Sequence, residues 1–258
     1  MKMTILYRVC DVVGAYNGKR LFGNKLDIIK KSTTSLTDAI RYVNKQFEVY
    51  THVVFDKTTT DTKKFVYDTF ATTGQPVYTH DTSDNAGDGN MKSFKVSYEI
   101  AKQIDDGLLF FLEDDYILNE KCLVEMFSLY NSFRPEQHVC MKPHHDMYTF
   151  VRDIIKPDGT LEPRELMFGH AVYWFRDITS TCTFCIDRFV LEKCDDLFQK
   201  TFLLNRVDEQ YLNQIYTRFP LFSPIPSLGE HLQNQMSVSP FFGGRTFDIK
   251  GKYQTHKM

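Results

Sequence analysis

Residues 108–112 form an unbroken apolar run, LLFFL, closed at once by Glu113, Asp114 and Asp115. A run of this length suits a strand buried on both faces at the centre of a sheet. Such a strand needs helices on both sides, which points to a layered α/β arrangement. Open α/β sheets receive ligands beyond the carboxyl ends of their strands, where these carboxylates fall. Three adjacent carboxylates repel one another unless a cation offsets them, and hard oxygen donors suit Mg²⁺ or Mn²⁺, which in turn bridge phosphates. Taken alone, the triplet reads equally well as an exposed acidic turn before a helix capped at Asn119.

The rest of the chain alternates strand and helix signals. Residues 4–9 read as a first strand running into a loop at Asp11. Leu36, Ile40, Val43 and Phe47 recur at helical spacing, with Ser35 and Asp38 as a capping box. A strand over 50–55 ends in Asp56, and a helix and a short strand near 76–79 follow. The Asp/Asn/Gly-rich stretch before residue 90 reads as loop, with a helix starting near Asn90. Beyond the acidic triplet the pattern predicts a helix over 119–130, strands over 138–142, 171–175 and 181–186, and helices over 188–197 and 207–218. The segment after Pro220, rich in Pro, Ser and Gly, reads as loop. At 258 residues the whole is compatible with one α/β domain.

Several other residues are candidates for chemistry, each with a structural alternative. Asp208 and Glu209 open a helical pattern, where the macrodipole alone favours acidic groups. A carboxylate so placed can equally serve as a general base toward an acceptor hydroxyl. His231 stands in a loop context as a surface histidine or a metal ligand. His144, His145 and Asp146 form a polar cluster after a strand, either a solvated loop or a contact for an acceptor or metal. The segment NAGDGN, 85–90, offers backbone N–H groups and a helix start to a diphosphate. It lacks both the Walker GK[ST] ending and the GxGxxG pattern, which argues against a P-loop ATPase and a dinucleotide site. Lys92 and Lys95 are available for phosphate contacts or form a solvated face. Trp174 reads as core in preference to a sugar-stacking residue.

Taken in order, these pieces resemble the GT-A glycosyltransferases from the first strand to about His231. The resemblance implies a nucleotide pocket at Arg8, Asp11 and Asp56, with NAGDGNMKS as a further contact through Asn90 and Lys92. EDD resembles the DXD motif, which implies Asp115 as principal metal ligand and places Glu113 and Asp114 around water, ribose or sugar. VDEQYLN resembles the xED motif of inverting members, which implies Glu209 as base, with Asp208 the alternative because the order is DE. His231 falls where many members carry a histidine completing the metal site. The fold implied is a single GT-A-like α/β domain with a mostly parallel central sheet flanked by helices and an acceptor-side subregion. Residues 1–130 are then the nucleotide-sugar half, ending in the metal motif, and 131–258 the acceptor half with the C-terminal tail.

The expected function is transfer of a sugar from a nucleotide sugar, UDP-linked first, with Mn²⁺ or Mg²⁺, to a hydroxyl of a glycan, lipid, protein or hydroxylated DNA base. The rivals are a metal-dependent nucleotidyltransferase and a non-catalytic carbohydrate- or partner-binding protein on the same scaffold. A formal net charge of -2 gives no global field toward nucleic acid or anionic membrane. The tail over 245–257, with basic and aromatic residues, reads as a solvated terminus or a small polyanion patch. No apolar run is long enough to span a bilayer and the first residues do not read as a signal peptide, so the expected location is cytoplasmic. The six cysteines are expected to be reduced and inert.

Overall fold

The computed structural model describes residues 1–11, 24–43, 46–82, 89–133, 137–145, 166–180, 183–204, 209–232, 245–247 and 253–255, with backbone alone at 89–90, 209 and the last two segments. In chain order these form β1 (Lys2–Val9), α1 (Lys25–Val43), β2 (Glu48–Phe55), α2 (Thr60–Ala71), β3 (Val77–Asp81), α3 (Gly89–Ala101), β4 (Leu108–Glu113) and β5 (Tyr116–Leu118). They continue with α4 (Cys122–Phe133), β6 (Cys140–Met141), β7 (Leu166–Phe168), β8 (Tyr173–Asp177), β9 (Phe184–Asp187), α5 (Arg188–Lys193) and α6 (Asp195–Leu203). Last come α7 (Glu209–Leu212), α8 (Ile215–Arg218), β10 (Leu221–Ile225), β11 (Gly229–His231), β12 (Arg245–Phe247) and β13 (Tyr253–Thr255).

Nine strands make one sheet in the order β3-β2-β1-β4-β9-β6-β10-β8-β7. The first four are mutually parallel, β9 runs antiparallel to both β4 and β6, and β6 and β10 are parallel. β6 therefore points the same way as β4. The apolar run behaves as its composition demands: Leu108 to Leu112 are all 0% exposed. Alternate side chains go to opposite faces. Leu108, Phe110 and Leu112 join the core under α1, α2 and α4, while Leu109 and Phe111 join that under α3, α5 and α6. Gly107, at φ 107°, makes the turn into β4, where an added Cβ would lie 2.6 Å from the Lys2 carbonyl oxygen.

Several expectations are corrected. α1 begins at Lys25, well before Ser35, with the Asn24 side chain accepting from the Asp27 N–H at 2.9 Å. Ser35 and Asp38 are interior to the helix rather than a cap: Ser35 Oγ donates to the Ser32 carbonyl and accepts from the Leu118 N–H. The Ser/Thr run tolerates helix because burial engages it, Tyr7 Oη lying 3.1 Å from both the Ser32 and the Thr33 hydroxyls. The single helix expected over 188–197 is two, α5 and α6. The segment after Pro220 is not loop, since β10 lies inside the sheet and β11 forms a ribbon with β5. Pro224 is accommodated because the pairing of β10 with β6 ends at Phe222, so that among the described residues this edge of Pro224 has no strand neighbour. The tail contributes an antiparallel pair, β12 with β13. Trp174 is fully buried, and the described cysteines are free thiols, all but Cys10 buried; Cys182 lies outside the described residues. No described helix is long and apolar enough to cross a membrane.

Candidate active site

β1 has β2 on one side and β4 on the other, so the strand order reverses at the β1–β4 pair, and open α/β sheets take their ligands beyond the carboxyl ends of the strands at such a reversal. The acidic triplet sits at those strand ends. Arg8 and Glu113 are register partners on the two strands, and their side chains pair at 3.0 Å. Arg8 is 4% exposed and packs over the Phe94 ring at 5.1 Å. Burial raises the Glu113 pKa; Arg8 works against this, and the neighbouring Asp115 and Asp114 carboxylates add to the rise.

Asp114 turns inward. One oxygen accepts the Cys10 N–H at 2.8 Å and the other is ion-paired with Lys25, the first residue of α1. Burial raises the Asp114 pKa, Lys25 opposes it, and Asp115 reinforces it, leaving the net direction upward. This carboxylate braces the ends of the β1–α1 connection against the β4 turn. Lys25 was not legible as a site residue, because no spacing relates it to Asp114; the contact exists only once β1 and β4 are neighbours.

Asp115 meets His231 through the β5–β11 ribbon. The strands pair Tyr116 with His231, and the Leu232 N–H donates to the Asp115 carbonyl at 2.8 Å. His231 Nε2 lies 3.4 Å from Asp115 Oδ2, and the His231 ring stacks on Tyr116 at 4.4 Å and 6°. Gly229 allows the close approach: an added Cβ would lie 3.1 Å from Leu118 Cδ2 and 3.2 Å from Pro143 Cβ. Ligand atoms of Glu113, Asp115 and His231 all lie within 4.8 Å of one another. Two carboxylates and an imidazole, all partly exposed, are a donor set that fits a hard or borderline divalent cation.

The other candidates lie on separate elements. Asp11 accepts from the Thr59 N–H at 2.9 Å and its hydroxyl at 2.6 Å. Partial burial works to raise its pKa, but the bonds from Thr59 and Thr62 outweigh it and hold the carboxyl below its usual value. Asp56 is buried at the end of β2, with the Thr82 hydroxyl 3.4 Å from its Oδ1. Lys92 donates to the Thr82 carbonyl at 3.0 Å. Asn90 opens α3, with its side chain outside the described residues. Asp208 and Asp146 lie outside the described residues, and Glu209 is placed only by its backbone at the start of α7.

Behind the ribbon, Lys142 and Asp177 form a fully buried ion pair at 2.9 Å. Burial works to raise the Asp177 pKa, yet Lys142 and the Ser223 hydroxyl bring it below its usual value. His144 packs edge-on to Tyr116 and to His231, with ring centroids at 4.9 Å and 6.2 Å. Its pKa is pushed far down by burial first, then by Lys142 and His231, so the ring is neutral. His145 is anchored, its Nδ1 2.7 Å from the Pro224 carbonyl oxygen.

No protein-family model matches the sequence, and no curated protein sequence matches it. Solved structures show a distant likeness over most of the chain. Against S. aureus TarS 1–349 in complex with UDP the identity is 16% over 83% of this chain and 56% of that one, with a TM-score of 0.46. Against the galactosyltransferase LgtC in complex with donor and acceptor sugar analogs the identity is 12%, over 85% and 71%, with a TM-score of 0.41. Against a nucleoside-diphosphate-sugar pyrophosphorylase from Vibrio cholerae RC9 it is 12%, over 85% and 89%, with a TM-score of 0.43. The chain spans 49% of the length of a second TarS 1–349 structure.

Proposed function

We propose that the chain is a metal-dependent glycosyltransferase that takes a sugar from a nucleoside-diphosphate sugar, UDP-linked first, and passes it to an acceptor hydroxyl. One observation carries the reading: Glu113, Asp115 and His231 converge beyond the carboxyl end of β4, although the histidine is remote in sequence. Asp115 and His231 are the proposed ligands of Mn²⁺ or Mg²⁺, with Glu113 as a third. Held by these residues, a divalent cation would supply positive charge against the charge that develops on a departing diphosphate.

The chain's own groups do the rest. Arg8, tied to Glu113 and packed on Phe94, orients that carboxylate, and Asp114 with Lys25 fixes the turn that carries Asp115. Asp11, Asp56, Asn90 and Lys92, at or just beyond the carboxyl ends of β1, β2 and β3, are the proposed nucleotide side. Glu209, with Asp208 as the alternative, is the proposed base that takes the proton from the acceptor hydroxyl as its oxygen attacks the anomeric carbon, giving inversion. The acceptor is a hydroxyl of a glycan, lipid, protein or hydroxylated base.

The test is turnover of UDP-sugars by the full chain with Mn²⁺, with EDTA, and for Asp115→Ala and His231→Ala. Chelation and either substitution should lower the rate by about 10²-fold or more. Equal rates under all four conditions would remove the metal role. Release of pyrophosphate from an NTP and a sugar 1-phosphate, with exchange of labelled pyrophosphate into the NTP and no sugar transfer, would assign a nucleotidyltransferase instead.

A further inference from the structure

His144 is built into the site more firmly than its loop position suggests. It follows β6, whose carboxyl end lies on the same edge of the sheet as that of β4. The residues around it are fixed on both sides: Lys142 N–H donates to Phe222 O at 3.0 Å, Leu228 N–H to Pro143 O at 2.9 Å, and His145 N–H to Ser227 Oγ at 3.4 Å. Its two polar neighbours are committed elsewhere. Lys142 Nζ is held by Asp177 and the Thr179 carbonyl, and His145 Nδ1 by Pro224.

His144 itself is 6% exposed, and among the described residues its buried Nδ1 has no hydrogen-bond partner. Leaving a buried polar atom unsatisfied costs about 1–3 kcal/mol, so a structure seldom holds one rigidly without a use. The ring stands one aromatic layer beyond the proposed metal ligand His231. Position along the sheet edge says what reaches it. The proposed nucleotide side lies over β1, β2 and β3, the metal ligands at β4, and His144 over β6 on the opposite flank. A linear ligand with its base over β1–β3 and its diphosphate at β4 extends its far end toward β6.

Resting on the glycosyltransferase reading above, we propose that His144 is a donor-sugar-binding residue, whose buried Nδ1 hydrogen-bonds a hydroxyl of the hexose carried by the nucleotide. The contact adds affinity for the sugar portion of the donor and none for the nucleoside diphosphate. A water held by the cation offers the same hydroxyl chemistry, and it would be present with the bare nucleotide too.

The experiment is calorimetric titration of the full chain in Mn²⁺ with UDP and with UDP-glucose, UDP-galactose and UDP-N-acetylglucosamine. It compares wild type with His144→Phe and His144→Leu, which remove the nitrogen, and His144→Asn, which keeps a hydrogen-bonding atom near the Nδ1 position. For the best-bound UDP-hexose, His144→Phe and His144→Leu should weaken binding about three- to tenfold. The same variants should leave UDP within about twofold, and His144→Asn should recover part of the loss. Equal losses for UDP and UDP-hexose would assign the nitrogen to a metal-held water or the ring to support of the ribbon, and no loss for either would leave it no ligand. Both results overturn the proposal while leaving the site's function standing. Failure of the wild type to bind UDP at all overturns the functional reading and this proposal with it.

Discussion

Among the charged residues at the ends of β1 and β4, Lys25 and Asp114 make the most consequential pair, because both are nearly removed from solvent, at 9% and 7% side-chain exposure. Deleting one partner of such a pair leaves a buried charge uncompensated, and the expected cost is about 3–5 kcal/mol. Lys25→Met should therefore lower the free energy of urea unfolding by that amount, and Lys25→Met combined with Asp114→Asn should recover a substantial part. A double variant no better than the single would show that the lysine stem, rather than the charge, is what matters. The carboxylates were readable from the triplet's position after LLFFL. Their division of labour was not, since Glu113, Asp114 and Asp115 differ in environment only through Arg8, Lys25 and His231, which approach from three separate elements.

Short strands decide the site, and they were the least visible elements. β5 and β11 are three residues each, too short to show a period, yet their pairing is what carries His231 to Asp115. α1, by contrast, was visible in its second half through Leu36, Ile40 and Val43, while its Ser/Thr-rich first half gave no helical signal because the supporting contacts are tertiary. At the β2–β3 edge, His52 Nδ1 and His80 Nε2 lie 3.0 Å apart, within hydrogen-bond distance. Burial, and then His80, pushes the His52 pKa down to about 4, and burial lowers that of His80. The folded pair thus holds fewer protons than the unfolded chain between the ordinary histidine pKa and about 4, so stability rises with pH across that window. Its contribution is fully present above pH 6.5 and is lost as pH falls through about 4. Urea midpoints between those limits should fall more steeply for wild type than for His52→Phe; parallel curves would show that the pair does not titrate as described.

At the scale of the molecule, one sheet divides two cores, and β4 supplies both through alternate side chains. Phe110→Ala and Phe111→Ala empty opposite faces of the same strand. Each should cost about 3–5 kcal/mol. Because the two faces share a backbone, fluorescence of Trp174, the single tryptophan, which sits in the Phe110 core, should unfold together with far-UV circular dichroism in both variants. Separate transitions in Phe111→Ala would show that the faces unfold independently. The layered α/β plan and its buried central strand were determined by the sequence itself, because an apolar run closed by carboxylates has few physical solutions. Asp115 and His231 became candidate ligands only through the order of motifs in the GT-A resemblance, since an acidic turn and a lone histidine read as well as surface groups on their own. Only the tertiary structure decided that His231 meets Asp115, that Asp114 faces Lys25 and that His144 packs on Tyr116 with a nitrogen that has no partner among the described residues. Those facts depend on strand order and register between distant segments, and local periodicity carries no information about either.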